Sequence, residues 1–84
     1  MSGHDQQAFE KAFSMGVTLA RLGRWSDAVA SYRDAIRLRP DDAEAHLNLG
    51  FVYYELGRDR EASEEFARGR ELGGTCDTPQ KMRF

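Results

Sequence analysis

Four stretches of this 84-residue chain carry apolar residues at every third or fourth position, and short segments with glycine or proline separate them. This spacing is typical of amphipathic α-helices. Glycine commonly ends a helix and proline cannot continue one, so Gly23, Pro40 and Gly57 mark the boundaries. The predicted helices cover about Phe9 to Leu22, the segment from a Ser26 cap to about Leu38, Ala43 to Leu56 behind Asp41 and Asp42 as caps, and about Arg60 to Leu72.

The chain matches itself when it is shifted by 34 residues. Glycine, alanine, leucine and aromatic positions are all retained, and a fixed period of this length predicts repeated helix pairs. We interpret the retained residues as packing residues with no chemistry of their own. The matched positions are Met15-Gly16 with Leu49-Gly50, Leu22-Gly23-Arg24 with Leu56-Gly57-Arg58, Ala28 with Ala62, Tyr32 with Phe66, and Leu38 with Leu72.

From about Phe9 to Cys76 these positions resemble the tetratricopeptide repeat (TPR) family, whose pattern is W-x2-L-G-x2-Y, then A-x3-F, then P. The chain departs from it at Ala12 and His46, which stand where the family has a large aromatic residue. The resemblance implies an all-α fold of two tandem helix-turn-helix repeats, a fragment of a right-handed α-solenoid. The implied divisions are a polar leader at 1–8, repeats at 9–42 and 43–74, and an irregular tail at 75–84.

The first and third predicted helices carry more apolar surface than one-sided packing needs. At 100° per residue, the apolar arc of the first helix spans roughly 220°, against the 100° or more of a surface helix. In proteins that resemble this one, the additional face lines a concave groove where peptides or partner helices bind. Soluble monomers seldom expose such a patch unless it is a binding surface. The predicted groove residues are Phe13, Val17, Ala20, Leu47, Asn48, Phe51 and Tyr54.

Charged residues are predicted at the edge of this groove. Glu10, Glu44 and Glu55 fall beside the apolar strip, and Arg21 is the opposing charge. A peptide or partner helix with apolar anchors and basic flanks would complement them. A TPR subtype grips the carboxylate of chaperone tails with lysine and asparagine, but only Asn48 matches it, so we do not expect that ligand. One alternative stays open, in which the groove face is the oligomer interface of a self-assembling scaffold subunit.

The motif content favours a binding module over an enzyme. The sequence has no phosphate-binding loop, zinc-protease motif or nucleophile turn, and Cys76 is its only cysteine. We therefore expect no catalytic residue, no cofactor and no metal, and we interpret His46 as an interior histidine. A net charge of -2 argues against nucleic acid as a partner. Without a signal peptide or an apolar run of roughly 20 residues, a cytoplasmic protein with no membrane partner is expected.

Two further features predict association. Two repeats are fewer than the three or so that such stacks need, so we expect a homo-oligomer or a subunit of a larger assembly. The chain ends in Lys81-Met82-Arg83-Phe84, which alternates basic and apolar residues and so complements an acid-edged groove. Met82 and Phe84 are accordingly predicted to dock in the groove of the same chain or of a neighbouring one.

Overall fold

The computed structural model describes residues 3–74, which form four α-helices and no strand within that range. α1 packs against α2, α3 packs against α4, and the two hairpins stack through contacts between α2 and α3. The predicted all-α fold of two helix pairs is therefore confirmed. The helices are α1 (Gly3–Arg21), α2 (Trp25–Leu38), α3 (Ala43–Glu55) and α4 (Asp59–Glu71).

The same turn joins the helices of both hairpins. Gly23 has a φ of 76° and Gly57 a φ of 78°, in the left-handed region where a side chain is strained. Directly after each glycine, a backbone N–H reaches back to a carbonyl of the preceding helix. Arg24 donates to Leu19 and Arg58 donates to Tyr53, both at 2.9 Å. The 34-residue repeat in sequence is thus a repeat in backbone geometry.

Glycine also lets the two helices of each hairpin approach closely. A Cβ atom on Gly16 would lie 2.8 Å from the Tyr32 ring, and one on Gly50 would lie 2.9 Å from the Phe66 ring. Both distances are shorter than van der Waals contact, so each ring occupies the space that a side chain would need. The predicted packing role of these glycines is confirmed.

The core lies between the two hairpins. Tyr32, Leu49 and Val52 are the largest fully buried side chains, and they share one cluster with Ala28 and Ala62. Burying a large apolar side chain stabilises the fold by about 1.5–3 kcal/mol relative to leaving it exposed. The α2–α3 contact therefore contributes a large share of the stability of a chain this small.

The first helix begins earlier than predicted. α1 starts at Gly3 instead of near Phe9, so most of the polar leader predicted at 1–8 is helical. Asp5 lies in the first turn, where a carboxylate favours the positive end of the helix dipole. Gln6 donates to Glu10 at 2.8 Å and accepts a hydrogen bond from Arg39. These polar contacts extend α1 beyond the apolar periodicity on which the prediction rested.

One predicted cap is confirmed and another is wrong. The backbone N–H of Ala45 donates to the carboxylate of Asp42 at 2.9 Å, which caps α3. Ser26 does not cap α2, because that helix already begins at Trp25 and has no side-chain cap hydrogen bond. The first turn of α2 instead carries an ion pair between Arg24 and Asp27 at 2.8 Å.

Candidate protein-interaction surface

The predicted groove residues lie on α1 and α3, and we call this set the α1–α3 face: Phe13, Val17, Ala20, Leu47, Asn48, Phe51 and Tyr54. Tyr54 is its most open member, with 60% of the residue exposed. Phe13, Val17 and Phe51 are half-buried. These four residues are therefore the members of the face that keep apolar surface accessible.

The apolar patch is smaller than the sequence pattern predicted, because Ala20, Leu47 and Asn48 are buried. Leu47 packs against α4, where a Cβ atom on Gly69 would lie 2.5 Å from its side chain. A helix in a stack has neighbours on more than one side, so packing uses much of a wide apolar arc. The accessible part is narrower than predicted, and Tyr54 is its most exposed residue.

Tyr32 of α2 contacts one residue on each of the two helices that form the α1–α3 face. The Phe13 ring meets the Tyr32 ring edge-on, with centroids 5.7 Å apart. From the other helix, the side-chain amide of Asn48 donates to the Tyr32 hydroxyl at 3.4 Å. Burial raises the pKa of Tyr32, the Asn48 hydrogen bond lowers it in part, and the charge of Glu44 raises it. The phenol is therefore neutral at physiological pH and serves as a fixed support.

All four residues predicted at the edge of the face are exposed: Glu10, Arg21, Glu44 and Glu55. Three of them carry negative charge, so the edge has a net negative balance. A field of this sign attracts cationic side chains of a ligand and weakens as salt is added.

His46 forms a buried polar link that the sequence only partly predicted. Its Nδ1 lies 2.7 Å from a carboxylate oxygen of Glu65, and its Nε2 lies 2.9 Å from the Pro40 carbonyl. The ring is buried and has a partner on each nitrogen, which confirms its interpretation as an interior histidine. Glu65 was not identified from the sequence as the partner of His46, although alignment of the two repeats contains a signal for this pair. The His46–Glu65 pair stands where the first repeat has the smaller Ala12 and Ser31.

A second concavity lies away from the α1–α3 face, between α2 and the second hairpin. It is a cleft of about 450 Å³ that carries charges of both signs. Arg37, one of its cations, already pairs with Asp34 at 2.8 Å. The mixed charge does not select one class of ligand. The cleft is lined by Arg33, Ile36, Arg37, Leu49, Tyr53, Glu61, Glu64 and Glu65.

Within residues 3–74, no group of three or more His, Cys, Asp or Glu residues is placed to hold a metal ion. No helix of that range is long and apolar enough to cross a membrane. Every buried side-chain nitrogen or oxygen in the described part of the chain has a hydrogen-bond partner. Met82 and Phe84, which we predicted to dock on the α1–α3 face, lie outside the described residues.

Comparison with known proteins gives a consistent family. A family model of the TPR repeat matches residues 16–57. The chain is 31% identical over 74 residues to Protein O-mannosyl-transferase Tmtc3 of Drosophila melanogaster. It is 36% identical over 61 residues to an uncharacterized TPR repeat-containing protein of Arabidopsis thaliana. The alignments cover 86% and 73% of this chain but only 8% of each relative, so the chain spans a small part of their length.

Solved structures of MamA share the fold. A MamA point mutant superposes with a TM-score of 0.76 at 36% identity, over 80% of this chain and 49% of that one. A structure of MamA AMB-1 superposes with a TM-score of 0.75 at 35% identity, over 82% of this chain and 39% of that one. Each of its two helix pairs turns at a glycine, and the repeat model matches half of its residues. This chain therefore belongs to the TPR family, whose fold is generally a non-catalytic module for protein interaction.

Proposed function

We propose that this chain is a non-catalytic interaction module whose α1–α3 face binds a peptide or a partner helix. The observation that carries the proposal is Tyr54, an aromatic side chain left 60% exposed on a helix whose other large residues are mostly buried. Tyrosine combines a broad apolar ring with a polar tip and is enriched where proteins bind one another. Exposed Glu55 follows it directly, and exposed Glu44 lies near the start of the same helix.

The surface chemistry supports one class of ligand. Half-buried Phe51 lies about one turn before Tyr54 on α3, and half-buried Val17 adds apolar surface on α1, so a ligand gains affinity from aliphatic or aromatic anchors. Lysine or arginine residues beside those anchors complement the acidic edge. Such charges contribute more to association rate and selectivity than to affinity. The ligand is therefore an apolar segment with basic flanks.

The test is a selection from a random peptide library with the full chain as bait, followed by affinity measurements on the enriched peptides. We expect enriched peptides to combine apolar anchors with lysine or arginine. Tyr54→Glu should weaken their binding about tenfold or more, a loss of about 1.4 kcal/mol. Added salt should weaken binding as well, since the edge charges are exposed.

The matched control is Ser63→Glu, which places the same charge at an exposed position of α4, outside the α1–α3 face. This variant should bind the selected peptides as the unmodified chain does. Enriched peptides without basic residues, or equal losses in the two variants, would contradict the proposal. Self-association that Tyr54→Glu alone abolishes, measured by sedimentation, would instead identify the face as an oligomer interface.

A further inference from the structure

Two of the largest exposed apolar residues lie outside the α1–α3 face: Met15 within α1, and Leu22 directly after the last residue of that helix, Arg21. Met15 is 48% exposed and Leu22 is 67% exposed. Together with half-buried Leu19 they follow the i, i+4, i+7 spacing of one helical stripe. We call Met15, Leu19 and Leu22 the α1 outer stripe. Exposure of such a stripe to water is unfavourable, because burial of each of its side chains would lower the free energy.

The same stripe exists in the second repeat, and there it is covered. Leu49, Tyr53 and Leu56 stand 34 residues after the members of the α1 outer stripe. Leu49 is only 2% exposed and Tyr53 is also buried, while Leu56 packs against the same core cluster. That cluster includes residues of α2, the helix that stacks on α3. The molecule thus contains its own example of the helix that such a stripe accepts.

The covering helix has a definite chemistry. α2 contributes Val29 and Ile36, two branched aliphatic residues seven positions apart, to the cluster that buries Leu49. The counterparts of these two residues on α4 are Ser63 and Arg70, and both are exposed. The α4 surface of a second copy therefore lacks the ridge that fits the α1 outer stripe, and end-to-end stacking of identical chains is disfavoured.

The start of α1 differs from the start of α3 in how a preceding helix could connect to it. α2 is joined to α3 by the short segment from Arg39 to Asp42. The residues of α1 that stand 34 positions earlier, from Asp5 to Ala8, are helical and form no such connection. A helix placed on α1 as α2 is placed on α3 therefore cannot enter α1 by the same short link.

Two differences between the repeats, both on α1, narrow the chemistry expected of the partner helix. Lys11 and Thr18 stand where the second repeat has Ala45 and Val52, which are fully buried. Both are exposed polar residues beside the α1 outer stripe. The partner helix therefore needs a narrow apolar ridge with an acidic or hydroxyl-bearing residue next to it, since burying Lys11 without a partner would be costly.

We propose that the α1 outer stripe is a docking site for an amphipathic helix of another protein, with branched aliphatic residues seven positions apart and an acidic residue beside them. It lies apart from the α1–α3 face, so this chain presents two interaction surfaces. Docking of this kind buries one helical stripe against another, as in other helix-binding proteins.

The probe is a synthetic peptide of residues 24–40 with Arg39→Glu, which supplies the Val29 and Ile36 ridge and an acid near its end. The control peptide also carries Val29→Ser and Ile36→Arg, the residues found on α4. The full chain is labelled at its methionine methyl groups and titrated with each peptide. We expect saturable shifts of the Met15 methyl signal with the probe, and binding weaker by about tenfold or more with the control.

Two variants of the full chain separate this site from the α1–α3 face. Met15→Glu should weaken probe binding about tenfold, whereas Tyr54→Glu should leave it unchanged. Equal binding of the two peptides, or no shift of the Met15 methyl signal, would overturn the proposal. It would also be overturned by a dimer that Met15→Glu dissociates, which indicates a second copy as the occupant. A shift of the Met15 signal on deletion of residues 75–84 would likewise overturn it, by identifying the tail as the occupant.

Discussion

Leu49 and Met15 occupy the same position in the two repeats but differ in burial, and truncation of each to alanine measures that difference. Leu49 is 2% exposed and belongs to the main core cluster. Leu49→Ala removes three buried carbon atoms, about 2.4 kcal/mol at about 0.8 kcal/mol each, and leaves a cavity beside Val52. We expect a loss of about 3 kcal/mol in the free energy of unfolding.

Met15→Ala removes a side chain that is about half in water, since the residue is 48% exposed. Half of the roughly 1.5–3 kcal/mol assigned to a fully buried methionine gives a loss of about 1 kcal/mol. For a domain of this size, 1 kcal/mol lowers the melting temperature by about 4–8 °C. The two variants should therefore differ in melting temperature by about 10 °C or more.

Urea unfolding followed by fluorescence provides the measurement, because Trp25 is the only tryptophan and packs against the main core cluster. Comparison of the two variants at equal m-values gives the difference in stability directly. Similar losses in the two variants would refute the reasoning, since they would require Met15 to be covered in solution. A loss below about 1 kcal/mol for Leu49→Ala would show that the α2–α3 contact is looser than the structure has it.

Three further changes test individual contacts. Gly16→Ala should lower the free energy of unfolding by about 1 kcal/mol, because overpacking against the buried Tyr32 ring costs about 1–3 kcal/mol and the higher helix propensity of alanine offsets about 1 kcal/mol. A variant that is more stable in thermal unfolding would show that the ring moves aside. Asp42→Ala should cost about 1 kcal/mol through loss of the Ala45 cap, whereas Asp41→Ala should be nearly neutral in the same assay. Because burial raises the pKa of Tyr32, the folded chain holds that proton more tightly than the unfolded chain does; its contribution to stability is complete below about pH 10 and is lost as pH rises above it. Tyr32→Phe should flatten that alkaline decline in urea midpoints, and an unchanged slope would contradict the assignment to Tyr32.

Local sequence signals predicted the elements well where one residue type decides the backbone. Gly23 and Gly57 end their helices at positive φ, and Asp42 caps α3, as expected from the conformational freedom of glycine and the short carboxylate of aspartate. The start of α1 was missed because polar contacts stabilise it. Gln6 bonds both to Glu10 and to Arg39, which is 33 residues away in sequence.

The candidate surface was harder to predict, because periodicity shows which residues are apolar but not which neighbour covers them. Leu47 lies within the predicted groove arc, yet it is buried where Gly69 lets α4 approach closely. Asn48 faces the Tyr32 hydroxyl, a contact between helices that no spacing within α3 reveals. Exposure on a repeat helix depends on both of its neighbours, so it follows only from the three-dimensional arrangement.

The two ends of this stack differ in polarity, and the difference limits how the chain can associate. The α1 end carries the apolar Met15 and Leu22, whereas the α4 end has Ser63 and Arg70 where α2 has Val29 and Ile36. Head-to-tail growth into a filament requires two complementary end surfaces on every copy. Within residues 3–74 only the α1 end is apolar, so the docking that we propose would add one helix at that end without creating an equivalent site on α4.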